Sequence, residues 1–564
     1  MFQHLRNDVN DIGRLEKILL VFFEEGLGHY ILKTKLRKHL PFRKRLSVSP
    51  PPPLTDQEAL ALHLRHAFER LGPTFVKLGQ LLSLRPDLVP AEMGRELEKL
   101  QDQVPPFHYE QAKKIIEEEL HKPIRKVFRQ FERKPIASAS IAQVHKAVLK
   151  SGKIVAVKVQ RPDIKKTIDT DLDILFHLAE TVERHFPQIR PYRPVAIVRE
   201  FAVWTRKELN FEVEARSAQR LKAEMKNNKN VKVPLIYPAF SSRQVLTMEF
   251  VEGIKIDDVA RLREFRLNRE KIALIYFTAI LEQALLYGFF HADPHPANIF
   301  VQQNGKLVFL DYGLMGELTQ ADRQKIIRFI RSLDEKDAEK SLEIIISLAR
   351  DTSKAMVDDF KQEALPILEE TYLSSIGERS IGSALYQIMA LGARYGIVFD
   401  TNHVLMAKAV YQAEGLGLKL HPHFKVRDGL QLFSQKYLKQ RYAPHTLATK
   451  ALKTVWSQRE LLADLPEHLH RLVKRLEQPE PPHQLEIEQL QELEREWEWL
   501  SRKKMFGYLA GLFMIVSAVF FYVEGRTKLW GVPISLVLFF VALLLVLFSL
   551  SQQPRKVIDH GTNH

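Results

Sequence analysis

"YGFFHADPHPANIFVQQNGKLVFLDYGLMG", residues 287 to 316, is the stretch on which the fold turns. His291, Asp293, His295, Asn298 and Asp311 stand there between apolar runs. Three chemistries compete: a metal held by imidazoles, a phosphoryl-transfer site, or a polar loop joining two strands. Spacing separates them. Asn298 follows Asp293 by five positions, and Asp311 follows Asn298 by thirteen. Between them, "NIFVQQNGKLVFLD" predicts a β-hairpin, two apolar strands around Asn304-Gly305, the strongest short turn signal. Such a hairpin folds Asn298 back towards Asp311, so that an amide and a carboxylate oxygen converge as Mg²⁺ requires. A histidine pair four residues apart needs a helix to ligate zinc, and Pro294 and Pro296 break any helix here.

The layout H-x-D-x-x-x-x-N followed by D-x-G is that of the protein-kinase catalytic loop. His291 is then the orienting residue of the loop, and His295 has no assigned role. A second element agrees with it. Val155-Ala156-Val157-Lys158 has the V-A-I-K pattern of the kinase strand whose lysine holds the α- and β-phosphates. A lysine in an apolar strand is costly to bury without a partner. "KELNFEVEA" offers Glu208, Glu212 and Glu214; Glu208 and Glu212 share one helical face and Glu214 lies on another. The sequence leaves the choice open. A G-x-G-x-x-G loop is missing before the lysine. In its place stand Ala137, Ser138, Ala139 and Ser140, which let a backbone approach phosphate less freely than glycine but offer two hydroxyls.

Outward from these motifs, the chain reads as an α+β protein. Residues 1–50 are a helical N-terminus, basic from Lys33 to Arg45 and suited to anionic lipid. After the break "SVSPPPPLTD", residues 56–130 are helical by apolar period. Residues 131–253 carry the strands, including the hairpin "ASIAQVHKAVLKSGKIVAVKVQ". Residues 254–445 form a larger, mostly helical lobe, and 446–503 a linker and a polar helix. Two lobes leave a cleft between them. The 83 Lys and Arg against 68 Asp and Glu give a formal charge of +15, suited to nucleic acid, anionic lipid or a phosphorylated ligand. No nucleic-acid module accompanies that charge, so no nucleic-acid partner is expected. The chain has no cysteine, which excludes disulfides and thiolate zinc sites. The opening "ILLVFF" is too short for a signal peptide.

Residues 505–550 predict two transmembrane helices. Met505 to Val523 holds no charge, and a second apolar run goes from Leu529 to Leu550. Each would span roughly 30 Å. Basic residues flank the pair outside, Arg502 to Lys504 and Arg555 to Lys556, which places the catalytic domain on the cytoplasmic side of an inner membrane. Gly507 and Gly511 form a G-x-x-x-G face suited to packing within that hairpin.

Six ordered motifs now carry a resemblance. "FVKLGQ", "ASASIAQVHKA", "VAVKVQRP", "ELNFEVEA", "HADPHPANIF" and "LDYGLMG" together resemble the UbiB/AarF family of atypical kinases, linked to ubiquinone biosynthesis. The resemblance covers about residues 60 to 430. It implies a protein-kinase-like fold, ATP with Mg²⁺, and ATPase activity more readily than protein phosphorylation. It implies that Lys158 holds the phosphates, Asn298 and Asp311 hold Mg²⁺, and Asp293 takes the catalytic position. The K-x-G-Q helix, with Lys77, Gly79 and Gln80, would lie over the place where a protein substrate docks. Glu208 would pair with Lys77 or Lys158, Glu214 being the rival partner for Lys158. Lys77 and Glu208 thereby join the catalytic set, and the alanine-rich loop replaces the glycine loop. "TMEFVEG" would be the hinge, its backbone facing adenine near Glu249 to Val251. Two departures stand out. The E-x-D motif reads Glu208-Leu209-Asn210, and Ala292 replaces the arginine of the typical loop, with no A-P-E downstream.

The function expected is an ATP-dependent enzyme at a membrane that handles hydrophobic quinone precursors or serves other quinone-biosynthesis proteins. A true kinase for a small molecule or protein is the alternative, followed by a nucleotide-sensing scaffold.

Overall fold

In the computed structural model the described residues are 9–28, 57–83, 85, 88–89, 91–100, 104–186, 193–353, 355–373 and 381–441, then 513–514, 517, 528–529 and 532–551. The basic segment Lys33 to Arg45, the proline-rich break, residues 446–503 and the pair Gly507 and Gly511 lie outside them. The chain divides into two compact units, Met1–Leu447 and Ala448–His564.

The first unit opens with helices α1 (Val9–Phe22), α2 (Gln57–Leu71) and α3 (Pro73–Ser83). Pro73 at the first turn of α3 has no amide to leave unpaired. Thr74, Phe75, Val76, Leu78 and Leu81 are buried on α3. Lys77 and Gln80, three residues apart, remain on the opposite, less buried face. Gly79 is a close-approach position: a Cβ there would stand 2.2 Å from the Leu100 side chain and 2.8 Å from Phe68.

After α4 (Tyr109–Leu120) comes an antiparallel sheet of β1 (Phe128–Phe131), β2 (Ala137–Ser138), β3 (Ala142–Leu149), β4 (Ile154–Gln160) and β6 (Val245–Glu249), the strand β5 (Val231–Lys232) joining another sheet. Its order is β1-β3-β4-β6, with β2 paired to β3. The β3–β4 hairpin places Val144 opposite Lys158. Period-two alternation sends Val155, Val157 and Val159 into a core shared with Ala112, Ile115 and Ile116 of α4. Each valine so buried contributes about 1.5–3 kcal/mol. Lys158 belongs to the other face of the same strand. Helices α5 (Ile164–His185), α6 (Pro194–Glu208) and α7 (Phe211–Glu224) follow.

The larger lobe is built on α8 (Arg269–Leu281), α9 (Gln320–Glu335), α10 (Ala338–Ser347), α11 (Val357–Leu373), α12 (Ile381–Arg394), α13 (Thr401–Leu420) and α14 (Val426–Arg441). Strands β7 (Ile254–Lys255), β8 (Phe289–His291), β9 (Ile299–Val301), β10 (Leu307–Phe309) and β11 (Met315–Glu317) frame its polar loop. This is mixed helix and strand in a kinase-like arrangement.

The membrane expectation is corrected. Among the described residues no helix is long and apolar enough to cross a membrane. Lys528–Leu529 pairs with Val532–Pro533, so the helix begins only at Ile534 and ends at Ser551. Its 18 residues reach about 27 Å, short of a roughly 30 Å hydrocarbon core. The other run, Met505 to Val523, lies outside the described residues apart from Phe513, Met514 and Ser517. The two-span hairpin and the inner-membrane localisation drawn from it are set aside on these findings.

Candidate active site

The catalytic-loop stretch is clamped by two ladders. In one, β9 pairs antiparallel with β10, Ile299 opposite Phe309 and Val301 opposite Leu307. Gly305 takes φ +79° at the turn, where a side chain would be strained. One step beyond the ladder the Leu310 N–H donates to the Asn298 carbonyl at 2.9 Å, which holds Asn298 beside Asp311. In the other ladder β8 pairs with β11, His291 opposite Met315, and the Ala292 N–H donates to the Leu314 carbonyl. The loop between is pinned from below, because the buried Tyr276 hydroxyl of α8 donates to the Pro294 carbonyl at 2.7 Å.

Asp293, Asn298, Asp311 and Gly313 open into one cavity with Lys77, Gln80 and Leu81 of α3, Phe201, Trp204, Thr205 and Glu208 of α6, and His291 and Leu314. Lys158 is not among the lining residues. Its Nζ donates to both carboxylate oxygens of Glu214, at 3.0 and 2.9 Å, and stands 5.1 Å from the Phe211 ring centroid. Glu208 instead accepts from Lys77 at 2.5 Å. The choice the sequence left open is thus settled as geometry: Glu214 to Lys158, Glu208 to Lys77. Glu212 does neither; its backbone N–H donates to the Asn210 side chain at 3.1 Å. Asn210 is the N-cap of α7, a task that needs an oxygen acceptor and no charge, so the amide in the E-x-D position is physically sound.

Burial alone would push the Asp311 carboxyl up. The Lys158 ammonium and the Gly313 N–H, 2.8 Å from Oδ1, reverse that and hold it at about 2. Burial also raises the Glu214 carboxyl, more than Lys158 lowers it, with Asp311 and Glu208 adding like-charge repulsion. Lys158 moves up: burial opposes its charge, but Glu214 and Asp311 outweigh it. Burial keeps the His291 imidazole below its usual range, against the pull of Asp311 and Asp293.

Other expected residues sit elsewhere. Ala137, Ser138, Ala139, Ser140, Glu249 and Val251 do not line the cavity. Ser140 is fully buried, so its hydroxyl is not offered to a ligand. The Ser138 hydroxyl and the Ala139 carbonyl each accept from Arg161 at 2.9 Å. The Glu249 carboxylate is occupied by Lys232 at 2.5 Å and the Leu235 N–H at 3.2 Å. Arg161 and Gln412 are residues that motif reasoning missed. Arg161 had a faint signal, an arginine between strand and proline in "VKVQRP". Gln412, whose Nε2 donates to Asp293 Oδ1 at 3.2 Å, had none.

A strand lysine paired to a helix glutamate, above a loop and hairpin that gather Asp293, Asn298 and Asp311, defines a protein-kinase-like protein. Residues 99–345 match the ABC1 atypical kinase-like domain, and residues 366–425 the UbiB helical domain. The chain belongs to the UbiB family of ABC1 atypical kinases, as its motifs suggested. It is 34% identical to the probable protein kinase UbiB of Pseudomonas fluorescens over 74% of this chain and 78% of that one. It is 33% identical to the chloroplastic protein Activity of bc1 complex kinase 7 of Arabidopsis thaliana, over 81% of this chain and 67% of the relative. The solved structure of Rv3197 with erythromycin, from Mycobacterium tuberculosis, covers 61% of this chain at 22% identity and a TM-score of 0.43.

Proposed function

We propose that the protein is an ATP-dependent phosphotransferase or ATPase that supports the biosynthesis of ubiquinone or a related isoprenoid quinone. ATP turnover would be coupled to the handling of hydrophobic precursors or of the enzymes acting on them. The observation that carries this is the convergence of Asp293, Asn298 and Asp311 on one cavity, backed by the Lys158–Glu214 pair.

The donor set fits Mg²⁺ with a nucleotide. Glu208, Asp293 and Asp311 give three carboxylates on the cavity against the Lys77 ammonium, an acidic excess that a dication offsets. Asn298 and Asp311 would hold the ion through oxygen, and Asp311 is anionic at any working pH. Bound there, Mg²⁺ supplies charge neutralisation of the phosphates. Lys158 contributes a permanent cation for their oxygens. Asp293 is the carboxylate placed to accept the proton of an attacking hydroxyl or water. Leu81, Phe201, Trp204 and Leu314 give the cavity apolar walls that limit water. With α3 forming one wall, a small acceptor or water suits the site better than a protein segment.

Quinone profiling of a deletion strain tests this reading. Rescue by the wild type and not by Asp311→Asn, with an early prenylated precursor accumulating in the unrescued strain, is the expected result. A normal quinone profile in the deletion would overturn the quinone assignment. Label from γ-labelled ATP appearing in inorganic phosphate supports hydrolysis, and label on an acceptor supports transfer.

A further inference from the structure

Helix α13 belongs to the helical domain that follows the kinase-like one, and no role is assigned to its side chains by family resemblance. Two of its residues, one turn apart and so on one face, reach the cavity's supports. Lys408 is almost fully buried, and its Nζ donates to the Ser83 carbonyl at 2.8 Å and lies 3.3 Å from Glu98 Oε1. Ser83 is the last residue of α3, so a buried ammonium caps the negative end of the helix that carries Lys77 and Gln80. The Tyr386 hydroxyl of α12 donates to the same carbonyl at 3.3 Å. A buried ammonium without such partners would be strongly disfavoured, so this contact fixes α13 along α3.

Four residues on, Gln412 meets Asp293. Its Nε2 donates to Asp293 Oδ1 at 3.2 Å, the side-chain hydrogen bond found for Asp293 among the described residues. Its Oε1 is buried without a partner among those residues. An amide is a donor without charge. It can fix one oxygen of a carboxylate while leaving the other free, and it does not add a positive charge that would weaken the base.

We propose that Gln412 is a positioning residue for Asp293, which makes the helical domain of residues 366–425 part of the active-site scaffold. This rests on the phosphoryl-transfer reading above. The amide holds Asp293 Oδ1 so that Oδ2 faces the incoming hydroxyl, and Lys408 keeps that amide in register with α3. A reacting group misplaced by about 1 Å can cost about 10²-fold in rate, so a single neutral hydrogen bond at this place has a measurable effect.

The test uses the full chain, with Mg-ATP turnover and ATP-induced thermal stabilisation measured on three variants of similar length and good helix propensity. Gln412→Met removes the donor, Gln412→Lys keeps one, and Gln412→Glu removes it and adds a like charge. Turnover is expected to fall about 10- to 100-fold in Gln412→Met. It should fall further in Gln412→Glu and fall least in Gln412→Lys, which keeps a donor but adds a charge that weakens the base, with KM for ATP and the thermal shift unchanged in all three. A mere packing role would treat the three alike or move KM together with kcat, and either result overturns the proposal. Wild-type turnover that vanishes in Asp311→Asn yet persists in Gln412→Met and Gln412→Glu refutes the positioning role alone. No wild-type turnover above the Asp311→Asn background removes the phosphoryl-transfer reading, and this role with it.

Discussion

The protein holds two Lys–Glu pairs near one cleft, and they differ in depth. Lys158 and Glu214 make a two-pronged contact, their side chains 16% and 2% exposed. Lys77 and Glu208 make a single contact at the cavity wall, 15% and 29% exposed. The deep pair joins β4 to α7 within the smaller lobe. The shallow pair joins α3 to α6 and faces the space where a ligand would sit. Depth sets what each can do. Breaking a buried pair leaves an uncompensated charge, whereas a wall pair exchanges its partner for water or ligand at small cost. The first pair is therefore a fixture of the lobe, and the second a contact that a ligand can open.

That contrast can be broken by experiment. Glu214→Ala should cost about 3 kcal/mol of stability, because it removes the carboxylate that takes both hydrogen bonds of the buried Lys158, and chemical denaturation would read it as a lower midpoint. A cost equal to that of Glu208→Ala would erase the distinction. Next in size is the acid limb of stability. Asp311 has its carboxyl lowered from 3.8 to about 2, so its contribution is present above pH 3.8 and is lost as pH falls towards 2. The shift is worth about 2 kcal/mol, and Asp311→Asn should flatten the stability curve between about pH 4 and 2. Asn210→Ala should cost about 1 kcal/mol through the lost cap of α7, while Asn210→Asp should leave stability within a few tenths. A large loss in Asn210→Asp would show that the position needs more than an acceptor oxygen. Smallest of all, Lys77→Ala should change stability by about 1 kcal/mol or less while altering nucleotide turnover, the mark of a pair that serves the cleft rather than the fold.

Much of this geometry could be read from local patterns. The V-A-V-K pattern singled out Lys158 as a strand lysine in need of a partner, and Asn304-Gly305 gave the hairpin that joins Asn298 to Asp311. Local patterns fail where partners come from afar. Glu214 and Glu208 stand on different helices, α7 and α6, separated at Asn210. A single continuous helix through "KELNFEVEA" therefore misjudges which faces they share. Gln412 reaches Asp293 across 119 positions, and nothing near either residue announces it. The apolar run from Leu529 to Leu550 misled in another way, since composition gave its length but not the pairing of Lys528–Leu529 with Val532–Pro533 that shortens the helix. Ser140 misled because a hydroxyl in a loop motif says nothing about its own burial.

Asp311, kept anionic beside Asn298 and Lys158, is the residue that would make this cleft a Mg-nucleotide site. Thermal stabilisation by ATP, with and without Mg²⁺, compared between the wild type and Asp311→Asn, tests it most directly. A Mg²⁺-dependent rise in the unfolding temperature of the wild type, absent in the variant, is expected because an amide lacks the charged oxygen a hard dication requires. An equal rise in both proteins would contradict it.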